Sequence, residues 1–325
     1  MKILIAIDGS HHSMMALNAL SRRAWEQGTE IQLLHVTTHE LDSAELQEME
    51  QVFEEGASVL AMHRPDLFVS RRVVHGGCCD AILAAAEAWK ADLIALGCRG
   101  RTLLEDLLLG SVSQSVIERA RCPVVVAREV DPTAVGRVLL PVDDSESSAA
   151  AVEWLGMQSW AANATIVLVS VATNPEPQMS HGSVHKASEQ FLEWETERGL
   201  LSAALEYWHA FLTTRFPNAT IHHGVVDGDP RELIVKAANN WPAELVVMGS
   251  SGRKGFAQLL LGSVSQNVAT KAHCSVEIVR GVHSQHFAEV HAIVEGLRDH
   301  SPLLNEPSHQ QHGSQPVDSP MMFFW

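Results

Sequence analysis

Apolar positions in this chain fall into short continuous runs, separated by longer stretches of helical spacing. Lys2-Ile3-Leu4-Ile5-Ala6-Ile7 ends at Asp8-Gly9-Ser10, and Ile31 to Val36, Leu67 to Val74, Asp92 to Leu96 and Pro123 to Ala127 are runs of the same kind. An apolar run of this length bounded by turn residues predicts a strand buried on both faces. Between the runs, residues 11–27 carry Met14, Leu17 and Leu20 near helical spacing, with Gly28 as a stop. Residues 41–62 are rich in Leu, Glu, Gln, Met and Ala and predict a long helix ending near Arg64-Pro65. Gly76-Gly77-Cys78-Cys79-Asp80 reads as a turn, 81–90 as an alanine-rich helix and 112–120 as a further helix. The order β-α-β-α-β-α-β-α-β predicts a parallel sheet with helices on both faces.

The whole pattern then occurs again. Arg137 to Asp143 matches Lys2 to Asp8, Ile166 to Val171 matches Ile31 to Val36, and Gly228-Asp229-Pro230 matches Gly77-Cys78-Cys79. The offset is 135 residues at Asp8 and Asp143 and 152 at Gly97 and Gly249, so the second copy has about 17 extra residues, mostly within 172–190. The copies are expected at 1–128 and 137–281, with a Pro- and Gly-containing linker at 129–136. The extra segment reads as a loop beside the site, followed by a helix from about 186 to 214. The tail, 282–325, predicts a short helix at 283–300 (Phe287, Val290, Ile293, Val294, Leu297) and then disorder among Pro, Ser, His, Gln and Asn.

One doubled motif organises the chain. Gly97-Cys98-Arg99-Gly100 is followed after nine residues by Gly110-Ser111-Val112-Ser113, and Gly249-Ser250-Ser251-Gly252 after nine residues by Gly262-Ser263-Val264-Ser265. Each follows a predicted strand and opens a predicted helix. Glycine lets a strand end turn sharply and lets backbone approach a ligand. A helix N-terminus adds unpaired N–H groups and a favourable dipole for an anion. Arg99, Arg101, Arg253 and Lys254 lie within the loops and read either as phosphate partners or as solvated loop charges.

Charge and composition narrow the ligand. The 325 residues carry a formal charge of -16, which argues against nucleic acid or an anionic membrane as main partner and suits a small ligand at local positive spots. No run of 18 or more apolar residues occurs, so no membrane span is expected, and the short apolar start reads as a strand rather than a secretory signal. Five irregularly spaced cysteines fit free thiols in a cytoplasmic protein.

With Asp8 and Asp143, the Gly228-Asp229-Pro230 turn and Arg121-Cys122-Pro123-Val124-Val125-Val126, the doubled glycine pattern resembles the universal stress proteins, in tandem form and of the ATP-binding branch, over residues 1–281. The resemblance implies an α/β fold of two tandem open-sheet domains, each a five-stranded parallel sheet with helices on both faces. It implies ATP, with Mg2+, at the carboxyl ends of the strands. It places Asp8 and Asp143 near the adenosine, and Val36 and Val171 against adenine through their backbones. Gly97, Gly100, Gly249 and Gly252 then form the ribose and phosphate loops, and Gly110, Ser111, Val112, Ser113, Gly262, Ser263, Val264 and Ser265 hold phosphates. The two domains are expected to pack as an internal pseudo-dimer, with a homodimer as the alternative.

Departures between the copies matter. Pro123 becomes Ser275, and the second copy's last strand carries Glu277, which puts a symmetric edge-to-edge pairing of last strands in doubt. No Gly-x-x-x-x-Gly-Lys-Ser/Thr loop and no kinase signature set is present, and no catalytic base stands out. Cys78, Cys79 and Cys98 lie near the ligand turns, where a redox role competes with simple packing. The tail histidines lack the close spacing of a zinc site. The expectation is an ATP-binding stress or signalling module. A slow ATPase or autophosphorylating enzyme and a nucleotide-independent scaffold are the alternatives.

Overall fold

A computed structural model describes residues 1–98, 109–129, 136–173, 184–252, 261–280 and 283–299. The expected linker falls mostly outside these residues, as do the tail beyond 299 and the extra segment at 174–183.

The first copy runs β1 (Lys2–Ala6), α1 (His11–Ser21), β2 (Glu30–Thr37), α2 (Ser43–His63), β3 (Phe68–His75), α3 (Cys78–Trp89), β4 (Leu93–Gly97), α4 (Ser111–Arg119), β5 (Val124–Ala127). The second runs β6 (Arg137–Pro141), α5 (Glu146–Gly156), β7 (Thr165–Ala172), α6 (Val184–Arg215), β8 (Thr220–Asp227), α7 (Pro230–Asn240), β9 (Leu245–Gly249), α8 (Ser263–Lys271), β10 (Ser275–Val279). A last helix, α9 (Phe287–Asp299), follows. The apolar runs thus mark every strand except β8, where Thr220, His222 and His223 interrupt the apolar pattern. A 3-10 turn at Ser159–Asn163 is additional, stabilised by short-range bonds rather than by an apolar pattern.

Each half is a five-stranded parallel sheet, but the halves do not remain separate sheets. They join in one ten-stranded sheet of order β3-β2-β1-β4-β5-β10-β9-β6-β7-β8. Every pairing is parallel except β5 with β10, where Val124, Val125 and Val126 lie opposite Ile278, Glu277 and Val276. Val125 and Glu277 are equivalent positions of the two copies, so the local two-fold axis passes between them. The edge-to-edge pairing forms in spite of the charge, because Glu277 finds buried partners.

Alternation along the strands divides the core between the two faces of the sheet. Ile3, Ile5, Leu93 and Ala95 pack with Leu17, Phe53, Leu155 and Trp208 of α1, α2, α5 and α6. Leu4, Ile94 and Leu96 pack with Ile82, Val116, Ile234 and Val268 of α3, α4, α7 and α8. Both clusters draw residues from both halves, so the core is continuous through the junction.

Two expectations need correction. The turn through Asp80 ends sooner, because Gly77 is the extended N-cap and α3 already starts at Cys78. The repeat match at this point also shifts by one residue. Gly76 and Gly228 both have φ near +148° (148° and 147°), which pairs Gly77 with Asp229 and Cys78 with Pro230. Adjacent glycines in sequence do not reveal which one takes the left-handed backbone. The second copy's extra length partly becomes helix, since α6 spans 32 residues against 21 in α2.

Candidate functional site

In each half the strand order reverses between its first and fourth strands, β1 and β4 or β6 and β9. A crevice opens at the carboxyl ends of strands at such a point. Both doubled-motif regions lie there. A pocket of about 180 Å³ in the N-terminal half is lined by Asp8, Val36, Gly97 and Gly110 to Ser113. A pocket of about 530 Å³ in the C-terminal half is lined by Asp143, Val171, Gly249, Gly252 and Gly262 to Ser265. Fifteen of the expected site residues are therefore brought together in two clusters; Arg99, Gly100 and Arg253 lie outside the described residues.

The aspartates are held by their own turns. Asp8 Oδ1 accepts from Ser10 N at 3.0 Å. Asp143 Oδ1 accepts from Ser145 N at 3.1 Å and from Ser145 Oγ at 2.5 Å. Ser10 and Ser145 are also the N-caps of α1 and α5, accepting from Ser13 N and Ser148 N. One short segment thus fixes both the carboxylate and the start of the helix.

The glycines divide into two kinds. A Cβ on Gly97 would stand 2.5 Å from His12 O, and one on Gly249 2.5 Å from Ser147 C. These two glycines let β4 and β9 pass against the first turns of α1 and α5. A Cβ on Gly252 would instead meet Asp143 Oδ2 at 2.7 Å, so this glycine makes room for the carboxylate. Gly110 N donates to Cys98 O and Gly262 N to Ser250 O, both at 2.8 Å, which closes each loop at its base.

α4 and α8 open at these closures. Their N-caps are Gly110 and Gly262, which have no side chain to cap the helix. The first-turn N–H groups have no acceptor within the helix, and the residues that carry them line the pockets. Ser113 and Ser265 differ from expectation. Their hydroxyls donate to Gly97 O at 2.9 Å and to Gly249 O at 2.8 Å, tying helix to strand inside the protein. Their side chains are buried, whereas Ser111 and Ser263 are exposed at the first helical position.

Some lining residues carried no signal. Glu197 of α6 and Thr173 line only the C-terminal pocket, and a glutamate in a long polar helix is unmarked in sequence. Cys78 lines the N-terminal pocket and Pro230 the other, at the first position of α3 and of α7. Here the repeat match was visible and only its register was displaced. Near Pro230, the Arg231 side chain beside Asp229 holds that carboxyl below the usual range. Burial pushes the Cys79 thiol up, against the opposing pull of Arg119. The C-terminal loop has a further tie: Ser147 Oγ donates to Ser251 O.

The family model for the universal stress protein family matches twice, at residues 1–128 and 135–280. A universal stress protein of Mycolicibacterium smegmatis is 29% identical over 296 residues, covering 86% of this chain and 96% of that protein. One of Mycobacterium tuberculosis is 29% identical over 194 residues, covering 58% of this chain and 62% of that protein. The crystal structure of a universal stress protein from Archaeoglobus fulgidus matches the fold with TM-score 0.59 at 21% identity, over 86% of this chain and 98% of that one. The chain belongs to the universal stress protein family and carries the family's domain twice in tandem.

Proposed function

We propose that this protein is a nucleotide-responsive module that binds ATP, with the C-terminal pocket as its principal site. One observation carries the reading. Twice, at the switch point of a parallel sheet, a helix opens on a glycine beside an aspartate locked in its own turn. The helix N-terminus suits a phosphate. The Asp143 carboxylate suits ribose hydroxyls or the adenine amino group as an acceptor. Val169, Val171, Ile234 and Met248 supply apolar wall for a flat base. A nucleotide polyphosphate uses all three features at once.

Volume ranks the two sites. The C-terminal pocket, at 530 Å³, falls within the range of about 300–1,000 Å³ typical of small-molecule sites, and the N-terminal pocket, at 180 Å³, lies below it. The tighter affinity is therefore assigned to the C-terminal half. Mg2+ enters with the phosphates, since it keeps several waters and is usually held by one or two carboxylates plus substrate oxygens. Among the described residues, Asp143 and Glu197 are the carboxylates that line this pocket. Among the described residues no group of three or more His, Cys, Asp or Glu forms a cage for a metal by itself. Arg99, Gly100 and Arg253 are assigned to the phosphate loops on their sequence positions. Bound ATP acts by favouring one conformation or partner over another.

Calorimetric titration of nucleotide-free protein with Mg·ATP tests the reading. The expected isotherm has one tight site and one weaker site, and a parallel melt gains about 2.7 kcal/mol at a hundred times the dissociation constant. Folded protein that takes up no nucleotide would overturn it. Sustained metal-dependent release of phosphate would replace it with the ATPase alternative.

A further inference from the structure

The two halves exchange arginines. Arg280 follows β10, yet its Nη1 donates to Ile117 O at 2.8 Å and also to Glu118 O, in the last turn of α4 in the other half. Arg128 holds the equivalent place after β5. Its Nη2 donates to Ala269 O at 2.5 Å and reaches Thr270 O at 3.5 Å, in the last turn of α8, and its Nη1 donates to Cys274 O at 3.2 Å. Ile117 and Glu118 are equivalent in the repeat to Ala269 and Thr270, so the exchange is reciprocal about the β5–β10 pair. Arg280 is only 7% exposed, and Arg128 is half-buried.

The helices concerned are the two whose first turns line the pockets. The last carbonyls of a helix lack acceptable partners within it and carry the negative end of its dipole, so a guanidinium satisfies both needs. α4 and α8 have nine residues each, about 13 Å of rigid rod. With the first turn held to its strand through Ser113 or Ser265, a second tether at the last turn fixes the direction of so short a rod. Each half, taken by itself, would leave these carbonyls without the arginine.

We infer that Arg280 is a positioning residue for the N-terminal pocket and Arg128 for the C-terminal pocket, each acting from the opposite half. This rests on the nucleotide reading above. It makes the sites energetically linked: a ligand that orders α4 also orders the segment after β10, and linkage of this kind is reciprocal.

The test uses full-length protein in two backgrounds. Ser263→Asp and Ser111→Asp place a carboxylate at the first helical position, where the dipole tolerates it and where it repels phosphate. Ser263→Asp leaves the N-terminal pocket to be measured, and Ser111→Asp the C-terminal one. In Ser263→Asp, Arg280→Gln is expected to weaken Mg·ATP about tenfold and Arg128→Gln less than about twofold, with the order reversed in Ser111→Asp. Arg280→Lys and Arg128→Lys keep the charge, recover part of the loss and serve where a Gln variant does not fold. Equal losses in both pockets, or loss in the pocket of the mutated half, would overturn the inference. Amide exchange without ligand gives an independent reading: Arg280→Gln should speed exchange in α4 and spare α8, and Arg128→Gln the reverse. If the parent takes up no nucleotide, the function proposal fails, while the exchange pattern still decides this one: crossed loss of protection supports it and uniform loss refutes it.

Discussion

Arg23 and Glu277, 254 positions apart, form a buried ion pair across the junction of the two halves, Nη1 to Oε2 at 2.8 Å. Their side chains are 8% and 1% exposed. Trp154 Nε1 donates to the other carboxylate oxygen at 2.5 Å, and Trp160 lies 4.8 Å from the Arg23 guanidinium. Glu277 stands opposite its own repeat equivalent, Val125. One carboxylate at the local two-fold axis therefore has one arginine to meet it. Ser275, the other departure from symmetry in this strand, accepts from Arg128 N at 3.1 Å. Both departures serve the junction.

Breaking this pair from one side should be costly. Arg23→Met leaves Glu277 buried with Trp154 and no counter-charge, and is expected to destabilise by about 3–5 kcal/mol. Arg23→Met with Glu277→Gln removes the charge and keeps an acceptor for Trp154 Nε1. Urea unfolding midpoints should show the double variant recovering more than half of the loss.

The two glycine classes should separate in experiment. Gly249→Ala forces a Cβ into the backbone of Ser147 and is expected to lower stability first. Gly252→Ala displaces the Asp143 carboxylate and is expected to cost at least about tenfold in ATP affinity with a small change in melting temperature. Paired melts and titrations of both variants make the comparison.

Docking of α9 should be acid-sensitive. Glu153 accepts from His286 N at 2.7 Å, Gln285 N at 3.0 Å, Ser284 Oγ at 2.8 Å and His286 Nδ1 at 2.8 Å, just before α9. Tyr207 Oη donates to Glu289 on the same helix at 2.7 Å. Burial by itself would raise the Glu153 value, but the N–H groups of His286 and Gln285, with the His286 and Ser284 side chains, bring it below the ordinary 4.5. A lowered carboxyl stabilises fully above its undocked value, and that contribution fades as pH falls through the docked one. Amide exchange in α9 should therefore rise on acidification below about pH 4.5. Glu153→Gln should expose α9 at neutral pH and flatten the dependence.

Thiol labelling reads the smaller pocket. Burial pushes Cys122 up to about 12 and Cys274 up to about 11, and both should react slowly at pH 8. Cys78 lines the N-terminal pocket and is half-buried. Iodoacetamide should modify Cys78 ahead of these two, and Mg·ATP should slow it if that pocket fills. Mass spectrometry of the peptides follows each site.

Much of the fold was legible locally. Runs such as Ile3–Ile7 and Leu245–Met248 appear as strands because a strand buried on both faces needs consecutive apolar residues. The loop glycines marked both pockets because their spacing repeats. The same letters did not separate Gly249, needed for packing, from Gly252, needed beside Asp143. They also did not show that the Ser113 and Ser265 hydroxyls turn inward to strand carbonyls.

The sequence by itself determined the repeated α/β units, the order of their elements and the residues that gather at each switch point, because periodicity and glycine spacing act over a few residues. Tertiary structure decided that two five-stranded sheets become one, that Glu277 is a junction residue rather than a break in the edge, and that each of the helices opening on the pockets ends on the other half's arginine. Those outcomes depend on which strand edges meet, and edge pairing brings together groups such as Arg23 and Glu277 that no local pattern connects.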